Sequence, residues 1–345
     1  MSACFAATFE IAGRKVGGKA PCLIIAEAGV AHFGDLDLAF QLVDLAAESG
    51  ADVFKTQFFD VEQLYAGRAE DWRDRLRPRN LTFEQARLVK ERCDKLGLLF
   101  MSTAHDSSRI DWLRELDVAA VKVGSGERNN PSFLTELAGL GKPMIVSTGM
   151  YDANDVREAV DACAAGGCFE LALLHCVTKY PTPADQLNLS AMDAMAAMFN
   201  GPVGYSDHTE DMVAVLSAVA RGAKVIEKHI TILRDVPNAQ DWKVSAGPDN
   251  LAQLVADIRR VEAMIGHGRK EPAPIETNDT DWALKSLVAA RDLKAGTILV
   301  ARDLVAKRPG DGVSPNRIDS LIGKRLTRTV ASDDLILLED LESAE

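Results

Sequence analysis

Two short segments combine a histidine with a polar residue at the same spacing. Ser206 and His208 are two residues apart, and so are Glu227 and His229. Residues two apart on a β-strand point to the same face of the sheet. If the two segments end neighbouring strands, the two imidazoles come close together, and neutral imidazoles bind Mn²⁺, Zn²⁺, Fe²⁺ or Co²⁺. Spacing alone leaves open whether the two histidines bind a metal.

Two lysines lie inside apolar runs, where a charged side chain is unusual. Lys55 follows Val53 and Phe54, and Lys122 stands between Val121 and Val123. Burying an unpaired ammonium group is costly, so these positions favour a bound anion as partner. An exposed lysine at a strand end is the alternative reading. His175, by contrast, is more typical of a buried histidine whose nitrogens are satisfied within the protein.

Together these residue types indicate a class of chemistry. Lysines and small hydroxyl side chains hold phosphate or carboxylate groups. A metal ion activates water or polarises an aldehyde, and glutamates transfer protons when their pKa values are tuned. The set predicts addition of an anionic carbon donor to a carbonyl compound. An aldolase that forms a Schiff base on a lysine fits the same residues, and neither composition nor periodicity decides between the two.

The polar residues follow short apolar runs that are typical of buried strands. The runs are Cys22–Gly29, Asp52–Phe59, Leu98–Thr103, Ala119–Ser125, Met144–Gly149, Leu171–Cys176, Val203–His208 and Val225–Ile230. Predicted helices between them include Leu36–Ser49, Thr82–Leu96, Ser107–Leu116, Asp152–Ala165 and Asp211–Arg221. Alternating strands and helices predict a parallel sheet, and eight such units in about 250 residues predict a closed (β/α)8 barrel, a TIM barrel, with its active site at the carboxyl ends of the strands. A doubly wound sheet is disfavoured because no glycine-rich nucleotide loop follows a strand.

The chain changes character after the predicted barrel of residues 1–267. Residues 268–283 are polar and carry Pro272 and Pro274, which indicates a linker. Residues 284–345 contain short β-like runs, Ser286–Ala289 and Leu335–Leu338, and predict a small, mostly β domain.

Composition and charge exclude several classes of partner. The 345 residues include 39 basic and 51 acidic side chains, for a formal net charge of −12, whereas proteins that bind nucleic acid are usually basic. No apolar stretch approaches the roughly 20 residues of a membrane-spanning helix, and the start lacks the features of a signal peptide. The six cysteines are scattered, which predicts free thiols and a cytoplasmic location.

Seven barrel segments and one segment of the tail jointly resemble a known family. The barrel segments are Ile25-Ala26-Glu27-Ala28-Gly29, Lys55-Thr56-Gln57, Val123-Gly124-Ser125-Gly126-Glu127, Ser147-Thr148-Gly149-Met150, Leu174-His175-Cys176 with Tyr180-Pro181-Thr182-Pro183, Ser206-Asp207-His208-Thr209 and Glu227-Lys228-His229. In this order they resemble the sialic acid synthases, which include neuraminate, legionaminate and pseudaminate synthases. The segment 307–312 is similar to the family's C-terminal antifreeze-like (SAF) domain, so the resemblance covers nearly the whole chain.

The resemblance implies a transferase that condenses phosphoenolpyruvate with an N-acylated amino sugar aldehyde. The implied acceptor is N-acetylmannosamine or a related 2,4-diacetamido hexose, and the products are a nine-carbon 3-deoxy-2-keto acid and phosphate. A divalent metal on His208 and His229, usually Mn²⁺ with Mg²⁺ or Co²⁺ possible, polarises the aldehyde. Water then adds to an oxocarbenium ion, and phosphate leaves by C–O cleavage. Another 3-deoxy-2-keto acid synthase or aldolase of the barrel class, acting on a different sugar, is the alternative.

The resemblance also assigns roles to individual residues. The expected phosphoenolpyruvate contacts are Lys55, Thr103, Lys122, Ser125, Ser147, Thr178 and Ser206. The expected sugar contacts are Glu27, Gln57, Tyr180, Asp241 and Arg308. Glu127 is expected to handle a proton or position water, with Glu27 and the two histidines as the other catalytic groups. Arg308 is expected to reach the barrel of a partner subunit in a domain-swapped homodimer.

The chain departs from the family pattern at several positions. The segment Ala31-His32-Phe33-Gly34 replaces a common Asn-His-Asn-Gly, Ala104-His105 replaces Pro-Phe, and Thr178 stands where asparagine is frequent. Residues 234–240 also differ from the neuraminate synthases. The implied phosphoenolpyruvate site keeps the family's residue types, whereas the implied sugar site is altered. This favours an acylamino or deoxy sugar other than N-acetylmannosamine.

Overall fold

The computed structural model describes residues 5–237, 239, 241–276 and 281–342. It divides the chain into two compact units, Met1–Gly266 and His267–Glu345. Cys4 and residues 277–280 of the predicted linker lie outside the described residues. No helix within the described ranges has the length and apolar character needed to cross a membrane.

The first unit is a closed barrel of parallel strands preceded by an antiparallel hairpin. The hairpin strands are β1 (Thr8–Ile11) and β2 (Arg14–Gly17). The barrel strands are β3 (Leu23–Gly29), β4 (Val53–Phe58), β5 (Leu99–Ala104), β6 (Val121–Val123), β7 (Met144–Ser147), β8 (Leu171–Cys176), β9 (Val203–Asp207) and β10 (Val225–His229). Each barrel strand pairs with the next along the chain, and β10 pairs with β3 to close the sheet. The predicted (β/α)8 barrel is therefore confirmed.

Helices follow the strands and form the outer layer. They are α1 (Leu36–Glu48), α2 (Val61–Leu64), α3 (Glu70–Leu76), α4 (Phe83–Leu96), α5 (Ile110–Glu115), α6 (Pro131–Ala138), α7 (Ala153–Ala165), α8 (Ala191–Met198), α9 (Val213–Ala220) and α10 (Leu251–Ile265). Local sequence explains where several begin. The side chains of Asp35, Thr82 and Asp152 accept hydrogen bonds from backbone N–H groups in the first turns of α1, α4 and α7, which satisfies donors that a helix leaves free.

Apolar side chains fill the amino-terminal part of the barrel. Ile25, Val53, Ile145 and Val225 form one buried cluster with residues of the hairpin, including Ile11. The opposite faces of the strands pack against the helices, because a parallel sheet inside a barrel is covered on both sides. Polar side chains therefore collect at the carboxyl ends of the strands.

Asp52 connects three elements at the amino-terminal end of the barrel. Its carboxylate accepts a hydrogen bond from the backbone N–H of Ile24 on β3 at 2.9 Å. It also accepts hydrogen bonds from Arg14 on β2 at 2.7 Å and from Arg259 on α10 at 3.0 Å. This carboxylate holds the hairpin, the first barrel strand and the last barrel helix together.

The second unit has its own small core around an antiparallel pair, β11 (Ser286–Ala289) and β12 (Leu304–Lys307). β11 lies where the sequence predicts it. The predicted strand Leu335–Leu338 is wrong, because only Leu335 forms an isolated bridge, with Val288, and a 3-10 turn begins at Leu338. The cause is Asp340, whose carboxylate accepts a hydrogen bond from the Leu337 N–H at 3.0 Å and so bends the chain.

Candidate active site at the carboxyl end of the barrel

Two lysines and two glutamates form a buried charge quartet, defined as Glu27, Lys55, Lys122 and Glu227. Lys55 Nζ lies 2.6 Å from Glu27 Oε2 and 3.6 Å from Glu227 Oε2. Lys122 Nζ lies 3.6 Å from Glu227 Oε1. Glu227 therefore bridges the two lysines. The four side chains come from β3, β4, β6 and β10, all of which turn alternate residues into the barrel.

The quartet corrects one expectation from the sequence. The sequence favours an external anion as the partner of Lys55 and Lys122, but Glu27 and Glu227 already supply carboxylates. They can do so because β10, β3 and β4 are neighbours in the closed sheet. An anionic ligand at this position competes with these carboxylates or shares the lysines with them.

The two carboxylates of the quartet differ in how readily they take up a proton. Burial raises the pKa of Glu27, and the nearby Lys55 ammonium opposes this only in part. Burial acts in the same direction on Glu227, but the charges of Lys122 and Lys55 outweigh it and lower the pKa of Glu227 to about 2. Glu227 therefore stays ionised, and Glu27 is the carboxylate that accepts a proton more easily.

Three hydroxyl side chains contact the quartet. The contacts are Thr103 Oγ1 with Lys55 Nζ at 3.3 Å, Ser147 Oγ with Lys122 Nζ at 2.7 Å, and Ser206 Oγ with Glu227 Oε1 at 2.9 Å. The first two oxygens accept hydrogen bonds from the lysines, whereas the Ser206 hydroxyl donates to the carboxylate. These are three of the residues predicted to contact phosphoenolpyruvate.

Ser125 and Thr178, which are also predicted to contact phosphoenolpyruvate, lie beside Gly149, just after β7. The Gly149 N–H donates a hydrogen bond to Ser125 Oγ at 2.9 Å. A Cβ atom at Gly149 would collide with the side-chain oxygens of Ser125 and Thr178. The absence of a side chain at Gly149 is therefore what lets Ser125 and Thr178 approach each other.

Glu127 lies in a 3-10 turn after β6, and its side chain is half-buried. Its Oε2 accepts a hydrogen bond from Asn130 Nδ2 at 2.9 Å. Partial burial raises the pKa of Glu127, and the hydrogen bond from Asn130 opposes that shift. A carboxyl group of this kind is suited to holding a proton and passing it on.

His208 and His229 lie next to each other on the barrel rim, and their ring centroids are 5.5 Å apart. His208 Nδ1 donates a hydrogen bond to the Val177 carbonyl at 2.7 Å, which leaves Nε2 as the nitrogen with a lone pair. The Tyr180 hydroxyl lies 2.8 Å from that nitrogen, and the Tyr180 ring packs against both imidazoles.

The donor set of the two histidines fits a borderline divalent cation. Burial lowers the pKa of His229 to about 4, so this ring is neutral at neutral pH. Burial acts in the same direction on His208, but its contacts with Cys176 and Val177 outweigh burial and raise its pKa. A ring that donates Nδ1–H to a carbonyl has the arrangement common among metal-binding histidines. Within the described ranges, no cluster of three or more His, Cys, Asp or Glu side chains is arranged to hold a metal.

A buried ion pair lies behind the two histidines, on the opposite strand face. Lys228 Nζ lies 2.5 Å from Asp207 Oδ2 and donates a hydrogen bond to the Thr209 carbonyl at 2.8 Å. Tyr205 donates its hydroxyl hydrogen to Asp207 at 2.8 Å. Because Asp207 precedes one histidine and Lys228 precedes the other, the pair fixes the backbone from which both imidazoles project.

Comparison with known proteins identifies the relatives of this chain. The NeuB family model matches residues 42–270, and the SAF domain model matches residues 285–342. The chain belongs to the NeuB family. The N,N′-diacetyllegionaminic acid synthase of Legionella pneumophila is 37% identical over 353 residues, covering 96% of this chain and 99% of the relative. The synthase of the same name from Campylobacter jejuni is 36% identical, covering 91% and 98%.

A solved structure agrees with this family assignment. The N-acetylneuraminic acid synthetase of Leptospira borgpetersenii superposes with a TM-score of 0.75 at 34% identity, covering 81% of this chain and 97% of that one. The resemblance predicted from the sequence motifs is thus confirmed at the level of the NeuB family and its SAF domain.

Most of the predicted sugar contacts of this NeuB family member lie beside the quartet and the histidines. Gln57 donates its amide hydrogen to Glu27 Oε1 at 2.8 Å. Asp241 lies in a 3-10 turn after β10, and its charge partly offsets the lowering of the pKa of His229. Arg308 belongs to the second unit, where its guanidinium lies 5.7 Å from the centroid of the Trp282 ring.

Sequence reasoning missed two rim residues as site residues. Glu227 forms ion pairs with both lysines. The sequence feature that indicates this role is its position two residues before His229, on the same strand face. His105, directly after β5, lies 3.4 Å from Gln57 through its Nε2. Its signal was weaker, because a single histidine after a strand carries no spacing pattern.

Proposed function

We propose that this protein condenses phosphoenolpyruvate with an N-acylated amino sugar aldehyde to give a nine-carbon 3-deoxy-2-keto acid and phosphate. The observation that carries the proposal is the convergence at one barrel rim of the buried lysines Lys55 and Lys122 with the paired imidazoles of His208 and His229. A donor with two anionic groups and a carbonyl acceptor need these two kinds of protein group side by side.

The lysines and hydroxyls of the rim would bind the donor. Lys122 with Ser147 and Lys55 with Thr103 present ammonium and hydroxyl groups within one buried region. Charge-assisted hydrogen bonds of this kind are strong, and they hold phosphate and carboxylate oxygens in a fixed orientation. Ser125, Thr178 and Ser206 would complete the donor contacts.

His208 and His229 would hold the divalent cation, with Mn²⁺ preferred and Mg²⁺ or Co²⁺ as alternatives. When bound, the cation would supply Lewis acidity at the aldehyde oxygen of the acceptor. Tyr180 lines the same place, so its hydroxyl would orient acceptor oxygen atoms beside the two imidazoles.

The bond changes balance with one water molecule. The C3 atom of the enol donor attacks the aldehyde carbon, forming the new C–C bond and leaving an oxocarbenium ion at C2. Water adds to C2, and the C–O bond to phosphate then breaks while the remaining proton of the C2 hydroxyl passes to the departing phosphate, which leaves the 2-keto group. Glu127, whose pKa is raised by partial burial, would take the proton of the attacking water. Glu27, a carboxylate beside Lys55 at rest, would relay a proton from solvent to the acceptor oxygen.

The acceptor we propose is a 2,4-diacetamido hexose rather than N-acetylmannosamine. Two relatives that match this chain along nearly its full length are N,N′-diacetyllegionaminic acid synthases, and that product name specifies two acetyl groups on nitrogen. Gln57, Glu27 and Asp241 would supply the polar contacts to the acceptor.

The test is phosphate release from phosphoenolpyruvate with Mn²⁺ against a panel of amino sugar aldehydes. We expect release with a 2,4-diacetamido-trideoxy hexose and much less with N-acetylmannosamine. The variants His208→Ala and His229→Ala should lose turnover at least about 100-fold and lose Mn²⁺ binding in calorimetry. His267→Ala, an exposed histidine of the second unit, serves as the matched control.

Two outcomes would contradict the proposal. Borohydride trapping of a carbonyl substrate on Lys55 or Lys122 would indicate a Schiff-base aldolase. Absence of phosphate release across the panel, together with no binding of phosphoenolpyruvate, would remove the donor assignment as well.

A further inference from the structure

His105 occupies a boundary between the predicted acceptor contacts and a polar cavity. It directly follows β5, and its ring faces Gln57 of β4. The ring also lines a cavity of about 350 Å³ together with Asp106, Ser108 and Asn130. The neighbouring strands β3, β4 and β5 thus contribute Glu27, Gln57 and His105 in a row along the rim.

Hydrogen bonds fix the orientation of the Gln57 side chain within this row. A glutamine amide has one oxygen that accepts and one nitrogen that donates. The nitrogen donates to Glu27 Oε1 at 2.8 Å, so the oxygen faces His105, whose Nε2 lies 3.4 Å away. The ring must therefore donate through Nε2–H, because the Gln57 oxygen can only accept.

The electrostatic surroundings keep that ring neutral. Burial lowers the pKa of His105 to about 4, and the positive charges of Lys55 and Lys122 act in the same direction. A neutral imidazole carries a single N–H. The one hydrogen that His105 can donate is thus committed to Gln57, and its other nitrogen is left as an acceptor.

We propose that His105 is a positioning residue that selects the acceptor sugar by holding the Gln57 amide with its nitrogen toward Glu27 and the acceptor. Without the ring N–H, the Gln57 oxygen loses its partner, and only the bond from the amide nitrogen to Glu27 holds the side chain. The amide plane can then rotate about that bond, so its second N–H no longer points in a fixed direction toward the acceptor oxygen atoms. The inference rests on the proposed function, since it concerns the acceptor of that reaction.

The test compares two substitutions of the same residue. His105→Phe keeps a flat ring but removes the N–H, and His105→Gln keeps an N–H donor at a similar reach. We expect His105→Phe to raise the KM for the acceptor about fivefold, the effect of one neutral hydrogen bond. The KM for phosphoenolpyruvate and kcat should stay within about twofold, and His105→Gln should restore most of the acceptor KM.

A neighbouring variant provides the control. Ser107→Ala removes a side chain that lines the same cavity but bonds to Glu136 rather than Gln57, so we expect no change in either KM. If the wild type is active and His105→Phe leaves the acceptor KM unchanged, this inference is overturned while the proposed function stands. Equal changes in both KM values would also overturn it, because they indicate a general structural effect. A wild type inactive with every acceptor would overturn the proposed function and this inference with it.

Discussion

Glu227 contacts both lysines of the charge quartet, so single-residue changes there alter the whole group. Lys55 and Lys122 show why the partners of a long side chain are harder to predict from sequence than its place on a strand. The alternation of residues along strands predicts that Lys55 and Lys122 lie at the rim, and they do. Their partners depend on which rotamers reach across the barrel from β3 and β10, and local sequence holds no information about that.

Glu227→Gln keeps the volume and the hydrogen bond from Ser206 but removes a buried charge. Lys55 keeps Glu27 as a partner, whereas Lys122 loses its ion pair, so we expect the free energy of unfolding to fall by about 3 kcal/mol. An added anion compensates, so phosphoenolpyruvate or inorganic phosphate should raise the Tm of the variant more than that of the wild type. Thermal unfolding with and without each anion measures both effects.

The control for this change is Glu62→Gln, which alters an exposed pair with Arg73 and Arg77. Exposed pairs contribute about 0–1 kcal/mol, so its Tm should respond to anions like that of the wild type. An equal anion response in Glu227→Gln would show that the lysines do not depend on Glu227 for charge compensation.

His32 gives the molecule a pH dependence that can be measured separately. Its Nδ1 accepts a hydrogen bond from the Gly34 N–H at 3.1 Å, and its Nε2 lies 3.3 Å from Thr56 Oγ1. Burial lowers the pKa of His32 to about 4 from an ordinary 6.5. Between these values the unfolded chain binds more protons than the folded one, so stability falls as the pH falls.

His32→Gln removes this titration. We expect the slope of unfolding free energy against pH to become shallower by about 1.4 kcal/mol per pH unit between 6.5 and 4. Urea unfolding at several pH values across that window measures the slope for both proteins. Identical slopes would mean that His32 is protonated in the folded state as readily as in the unfolded chain.

At the scale of elements, periodicity predicted the barrel well because each strand is a short apolar run between amphipathic helices. The ends of elements were less predictable. β6 covers only Val121–Val123, whereas the sequence predicts Ala119–Ser125, because Ser125 begins a 3-10 turn. The turn carries Glu127, so the irregular end of the strand is also the place where a predicted catalytic residue lies.

The amino-terminal end of the barrel contributes to stability and the carboxyl end carries the candidate active site. A substitution of Asp52 tests whether the two roles are separate. Asp52→Ala removes hydrogen bonds to Arg14, Arg259 and the backbone of β3, so we expect a loss of about 2–3 kcal/mol in unfolding free energy. Because Asp52 lies at the amino-terminal end, kcat and both KM values should stay within about twofold.

Urea unfolding and steady-state kinetics on the same preparation make this comparison. Asp44→Ala is the control, since Asp44 pairs with Arg92 on the helix surface and exposed pairs contribute about 0–1 kcal/mol. A large loss of kcat in folded Asp52→Ala would contradict the division between the two ends.

At the scale of the whole molecule, the sequence resemblance predicts a domain-swapped homodimer in which Arg308 serves the partner's barrel. This stays a prediction, and subunit mixing tests it. We expect inactive His208→Ala and impaired Arg308→Ala subunits, when produced together, to regain about a quarter of the wild-type activity, because half of the dimers carry one complete site. Activity equal to the sum of the separate variants would show that each barrel works with its own Arg308.

The balanced charge of the quartet has a consequence for how fast a donor arrives. Two lysines facing two glutamates present almost no net field to a distant ligand, while the chain as a whole carries a formal charge of −12. An approaching trianion is thus repelled until it is within a few ångströms of the rim. Dissolved salt screens that repulsion, so we expect donor capture to quicken as ionic strength rises, the reverse of electrostatic steering.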